Sequence, residues 1–243
     1  MPFDVQDGVA AATTETKTMT RHTTARLAGL LYFATLPTAG FAYGYVAFMP
    51  KDDPAALLAA LEAGRQALGW TVLLGAAGFI DYLLMAALFH RLLAPAGKIA
   101  AHLLVLFVVA SVPLALAALA HRMDLIALLD ARAPDLISEA PRLLRSETNL
   151  FQFATIFWGL WMIPLGWLSY RSGLVPTVIG IGLIMGGFGY LSGFVLPVLG
   201  IVPPAAVGGA LMAVTLISEF AFMFWLIVKG AESPDVAPTA VPT

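Results

Sequence analysis

The sequence predicts an all-α, polytopic membrane protein: a six-transmembrane-helix bundle with short interfacial helices. Three observations carry that reading. Hydrophobic residues make up 60% of the chain and charged residues only 12%, with a mean hydropathy of +0.87, well outside the balance of a soluble domain. Apolar stretches recur at lengths that cross a bilayer, about 20 residues each. Prolines, glycines and charges gather between those stretches, and 243 residues leave room for about six spans and no separate soluble domain.

Residues 1–25 are polar and threonine-rich and lack the apolar core of a cleavable signal peptide, so they read as a disordered tail ahead of a retained first span. That span covers 27–49 and ends at Pro50 and Lys51-Asp52-Asp53. Asp53-Pro54 is a strong helix start, an N-cap donor followed by proline at the first position, and opens an interfacial helix. Span two covers 67–92 and stops before Pro95-Ala96-Gly97. Span three, 99–120, contains Pro113, which removes a backbone donor and predicts a kink. From His121 to Asn149 short apolar clusters alternate with charges and with Pro134 and Pro141, the pattern of amphipathic helices lying on the membrane surface. Spans four, five and six cover 150–169, 174–199 and 205–228, with Pro203-Pro204 opening the last. The transmembrane domain thus occupies 26–230, and the Pro/Ala/Thr-rich tail 231–243 reads as disordered.

Charge and composition exclude several classes. With no cysteine, disulfides, thiolate metal sites and cysteine nucleophiles are ruled out. No basic stripe follows a nucleic-acid backbone, so the partners expected are the bilayer, a small-molecule ligand and a second copy in a homodimer, not nucleic acid. The basic residues flanking the spans are nearly balanced in number, but the two shortest loops, around Arg91 to Lys98 and around Arg171, carry bases and no acids. Both termini are therefore placed in the cytoplasm. Arg26, Arg91 and Arg171 read as topology anchors, with an anionic-lipid site as the alternative.

Four segments resemble one family: Ala25 through Tyr32, Leu165 through Pro176 with its Tyr-Arg-Ser-Gly loop, Gly187 through Leu191, and Glu219 through Gly230. In order and spacing they are similar to the bacterial membrane family catalogued as domain of unknown function 4386. The resemblance covers about residues 25–230. It implies six helices and a bacterial inner-membrane setting, and carries no activity or site residue with it.

The functional lead is a pair of acids. Asp81 and Glu219 each fall near the middle of an apolar span, in spans that cross in the same direction, where a charge is expensive and marks function by default. No Lys or Arg is placed to neutralise them, leaving a retained proton, a proton shared between the two, or a bound cation. Tyr82, Ser218, Thr38 beside Pro37, and Ser111 near Pro113 lie at similar depth and could line a polar pocket, although Ser and Thr often bond back to their own helix. His90 and His102 flank one short loop and could share a metal or haem, but lack a third ligand, so no cofactor and no metal site is predicted. Gly182, Gly186, Gly189 and Gly193 form small-xxx-small pairs for close helix packing, and Trp158 and Trp161 are too deep for an interfacial belt. The expected activity is binding or translocation of a small lipophilic or cationic solute at a mid-membrane acidic pocket, with proton coupling. A membrane-embedded enzyme on a lipid-like substrate, and a non-catalytic sensor or assembly subunit, are the alternatives. The absence of a nucleophile constellation argues against the enzyme.

Overall fold

The computed structural model describes residues 19–231; the expected tails over 1–18 and 232–243 lie outside the described residues. Within them the chain is helical, with no strand. The elements are α1 (Arg21–Thr35), a π-helical turn (Leu36–Gly40), α2 (Phe41–Ala47), α3 (Pro54–Ala63), α4 (Arg65–Leu93), α5 (Lys98–Asp130), α6 (Leu136–Arg171), α7 (Thr177–Val198) and α8 (Ala205–Lys229). Five of these, α4 to α8, are long and apolar enough to cross a membrane, making this a multi-pass membrane protein.

Three expectations are corrected. The first concerns the N-terminal tail: α1 starts at Arg21, because the Thr20 hydroxyl accepts from the Thr23 amide at 3.2 Å and caps the first turn. The second concerns the first span. Its backbone stays right-handed from Arg21 to Ala47, yet it is divided by the π turn at Leu36–Gly40, where Pro37 takes a donor out of the α ladder.

The third correction is the largest. Residues 121–149 do not lie on a membrane surface as short helices. They continue α5 to Asp130 and begin α6 at Leu136, giving helices of 33 and 36 residues, or about 50 Å each. Arg132, at φ 48°, turns the chain between them. The apolar clusters that suggested a membrane face instead pack on each other. Leu125, Leu129, Leu136, Ala140, Leu143 and Leu144 enclose a core with Val46, Leu57, Leu61 and Leu68. One end of the bundle therefore carries a helical cap in which α3 lies against the extended α5–α6 hairpin, while α5 runs as one helix through Pro113.

The cap holds a buried ion pair. Arg122, fully buried, donates from Nη2 to Glu147 Oε1, from Nε to Glu147 Oε2 at 3.4 Å and from Nη1 to the Ala42 carbonyl at 2.8 Å. That last bond ties the cap to α2.

In the bundle, neighbours approach through glycines. A Cβ on Gly159 would meet the Gly187 carbonyl at 2.7 Å, and one on Gly187 would meet the Gly159 carbonyl at 2.6 Å, so α6 and α7 are in backbone contact. Gly182, Gly186 and Gly189 face Ser218 or Thr215 of α8, which places these small residues in packing within the chain. Gly193 meets nothing within 4 Å. Gly75 and Gly78 of α4 do the same for the first helical run, against Ala42 and against Thr38 and Ala39.

Candidate functional site

Bundle helices pack tightly toward the chain-terminal end and part toward the cap end, where they enclose a cavity of about 570 Å³. Its floor lies at the level of Tyr32, Tyr82, Trp161 and Glu219. Beyond that floor the core closes: Phe89 and Phe222 pack at 5.6 Å between centroids with their rings tilted by 40°, among Met85, Met223 and Leu226, all fully buried. The lining then rises along the π turn and α2 (Leu36, Ala39, Gly40, Tyr43), α6 (Gln152, Thr155, Trp158), α7 (Tyr190 to Pro197) and the start of α8 (Gly208 to Leu216).

Glu219 sits near the midpoint of α8 and is 6% exposed. Tyr32 donates its hydroxyl to Glu219 Oε1 at 3.0 Å. The rings around it pack edge to face: Tyr32 against Trp161 at 5.5 Å and 69°, Tyr82 against Trp161 at 5.3 Å and 90°, Trp158 against Tyr190 at 6.4 Å and 77°. Such packing holds the rings in place against one another. Among the described residues Glu219 forms no ion pair; the four found involve Arg65, His121, Arg122 and Arg142.

Asp81 is placed elsewhere. It is partly exposed, it does not line the cavity, and it accepts from the Thr35 hydroxyl at 2.8 Å. The two carboxyls thus bond to residues one turn apart on α1 and not to each other, so a proton shared directly between them has no geometry here. Of the other four site residues, only Tyr82 lines the cavity. Thr38 donates to the Ala34 carbonyl at 2.8 Å, Ser111 to Val108 at 2.8 Å and Ser218 to Thr215 at 2.9 Å, each bonding back to its own helix. His90 and His102 do meet, with ring centroids 4.9 Å apart; no third His, Cys, Asp or Glu joins them among the described residues.

Several residues escaped the sequence. Tyr32, Tyr43, Tyr190, Gln152 and Thr155 line the cavity without having stood out, because a tyrosine in an apolar span looks like core. Arg122 and Glu147 had a readable signal. Arg122 falls on the face of Leu125 and Leu129, and Glu147 on that of Leu143, Leu144 and Phe151, so each is a charge within an apolar helical stripe.

The family model described as Domain of unknown function (DUF4386) matches residues 27–230. The chain belongs to the DUF4386 family. Three of the four segments by which it resembles that family reach the cavity: Ala25 through Tyr32 by Tyr32, Gly187 through Leu191 by Gly189 and Tyr190, and Glu219 through Gly230 by Glu219. This DUF4386 chain is also 30% identical over 91 residues to a protein of Archaeoglobus fulgidus described as an uncharacterized protein, an overlap of 37% of this chain and 52% of that one. The chain therefore spans about half the length of the curated relative it matches. No solved structure matches the DUF4386 chain significantly.

Proposed function

We propose that this protein binds a small lipophilic cation in the mid-membrane cavity, with Glu219 as its counter-charge and Tyr32, Tyr82, Trp158, Trp161 and Tyr190 as its walls. A buried carboxyl with one hydrogen bond, inside an aromatic cavity and without a basic partner, is the observation that carries the reading. An unpaired buried carboxylate is costly, and a bound cation supplies both the missing charge and cation–π contacts to the rings. The closed core beneath Phe89 and Phe222 supports binding over passage, since the cavity reaches one end of the bundle only.

In this reading the run from Arg21 to Ala47 is a sixth span, both termini are cytoplasmic in a bacterial inner membrane, and the cap and the cavity's open end face outward. Basic residues in the Arg91–Lys98 and Arg171 loops support that orientation.

Equilibrium binding of tetraphenylphosphonium to the protein in lipid nanodiscs tests the reading. Replacing Glu219→Gln is expected to weaken binding by more than about tenfold, the scale of one lost charge contact. Asp81→Asn is expected to leave it within about twofold. Unchanged affinity in Glu219→Gln would refute the cation site.

A further inference from the structure

Where the cavity opens narrows the ligand further. The seam between α6 and α7 is shut by Gly159 against Gly187 and, nearer the cap end, by Phe153 against Phe194 at 5.5 Å. From Glu219 to the terminal end, α8 is covered by α1, through Gly29 against Leu226 and Phe33 against Phe224 at 6.0 Å. Beyond Glu219 toward the cap end that cover stops, because the π turn and α2 pack on α4 and turn away from α8. Gly40 on one side and Met212 and Leu216 on the other line the cavity and are themselves exposed, Met212 by 57%. Between these exposed residues the cavity reaches the side of the bundle, the side that faces lipid in the six-span reading.

We propose that the ligand is a single-chain cationic amphiphile, entering sideways from the bilayer, with its ammonium group at Glu219 and its alkyl chain toward that side. The proposal rests on the reading of the cavity as a cation site and adds the ligand's shape. The two ends of the cavity differ in chemistry. At the floor stand the carboxyl and the edge-packed Tyr32, Tyr82 and Trp161, a setting for a substituted ammonium. Toward the mouth Leu36, Leu196, Leu211, Met212 and Leu216 form an apolar side facing Gln152 of α6, and the methionine makes that side adaptable in shape. A compact cation would leave that stretch without contacts. A neutral lipid would fill it and leave the carboxyl unpaired.

Two photoreactive dodecyltrimethylammonium probes test this in nanodiscs, one with its diazirine beside the nitrogen and one with it on the terminal carbon, labelled sites being mapped by mass spectrometry. The head probe is expected to mark the peptides of Tyr82, Trp161 or Glu219, and the chain-end probe those of Leu36–Gly40 or Met212–Leu216. Glu219→Gln is expected to lower both labels by about fivefold or more. Met212→Trp, at the exposed mouth of the cavity, is expected to lower both by about fivefold or more. Chain-end labels spread over all lipid-facing helices, or labels that survive Met212→Trp, would overturn the amphiphile and leave the cation site standing. Loss of Glu219 dependence for the compact cation benzyltrimethylammonium as well would remove both. Should Glu219→Gln not fold, Met212→Trp and competition by benzyltrimethylammonium decide the matter on the native carboxyl.

Discussion

Asp81 and Glu219 have the same chemistry and comparable depth, and their surroundings separate them. Asp81 meets one hydroxyl at the bundle's edge; Glu219 is enclosed by rings, with Tyr32 as its only donor among the described residues. Depth along a span is legible in sequence, because it follows from counting residues at about 1.5 Å each. The direction a side chain faces depends on which helices flank it, and that is set by packing between distant segments. The same reason hid the pairing of Arg122 with Glu147. Removing one partner of that pair, as in Glu147→Ala, leaves a guanidinium fully buried and is expected to cost about 3–5 kcal/mol, read as a lower midpoint in thermal unfolding. Replacing both, Arg122→Met with Glu147→Leu, is expected to restore most of that stability, since an apolar pair of similar volume leaves no uncompensated charge. A double variant as unstable as the single one would show that the bond from Arg122 to the Ala42 carbonyl, not charge pairing, is what matters.

Among the elements, α5 and α6 show where periodicity stops being informative. A stripe of apolar residues at helical spacing says that one face is covered and not what covers it. Over 121–149 a membrane surface and a neighbouring helix are equally good covers, and the second is the one found. Glycines were more readable, because a small-xxx-small stripe in an apolar span serves close approach whichever partner it meets. Their positions are not equivalent, however. Gly187→Val would push a branched side chain into the Gly159 carbonyl, now 2.6 Å from an added Cβ, and is expected to destabilise the protein by about 1–3 kcal/mol. Gly193→Ala, which meets nothing within 4 Å, is expected to change stability by less than about 0.5 kcal/mol. Thermal unfolding of the two variants side by side checks whether backbone contact between α6 and α7 holds that half of the bundle. The π turn belongs at this scale too: Pro37 was visible, but its effect, a wider turn that lines a cavity, depends on Gly75 and Gly78 letting α4 come close.

For the whole molecule, the membrane class was legible from composition alone, because a bilayer demands apolar length and little else of the sequence. The cap was not, since it uses the same residue types for packing that a membrane surface would use for binding. The proposed topology makes a direct prediction in a chain that contains no cysteine. A single Ala133→Cys in the α5–α6 turn is expected to react with an impermeant maleimide in cells whose outer membrane is permeabilised, whereas Ser172→Cys in the α6–α7 loop reacts only after the inner membrane is opened. The reverse pattern would invert the protein, and labelling of both from one side would break the six-span arrangement. Built this way, the molecule is a bundle held shut at its terminal end by glycine contacts and aromatic packing, with a cap at the other end that Arg122 ties to α2. Among the residues that line the cavity between those ends, Glu219 is the one that can carry a charge opposite to a cation's. The cavity's selectivity for charge is therefore best measured on ligands that differ in charge alone: an alkyltrimethylammonium and its neutral tert-butyl isostere, titrated into the native protein and Glu219→Gln. A preference for the cation of about tenfold or more in the native protein, collapsing to near equality in Glu219→Gln, is the predicted result; equal affinities of the native protein for both compounds would contradict it.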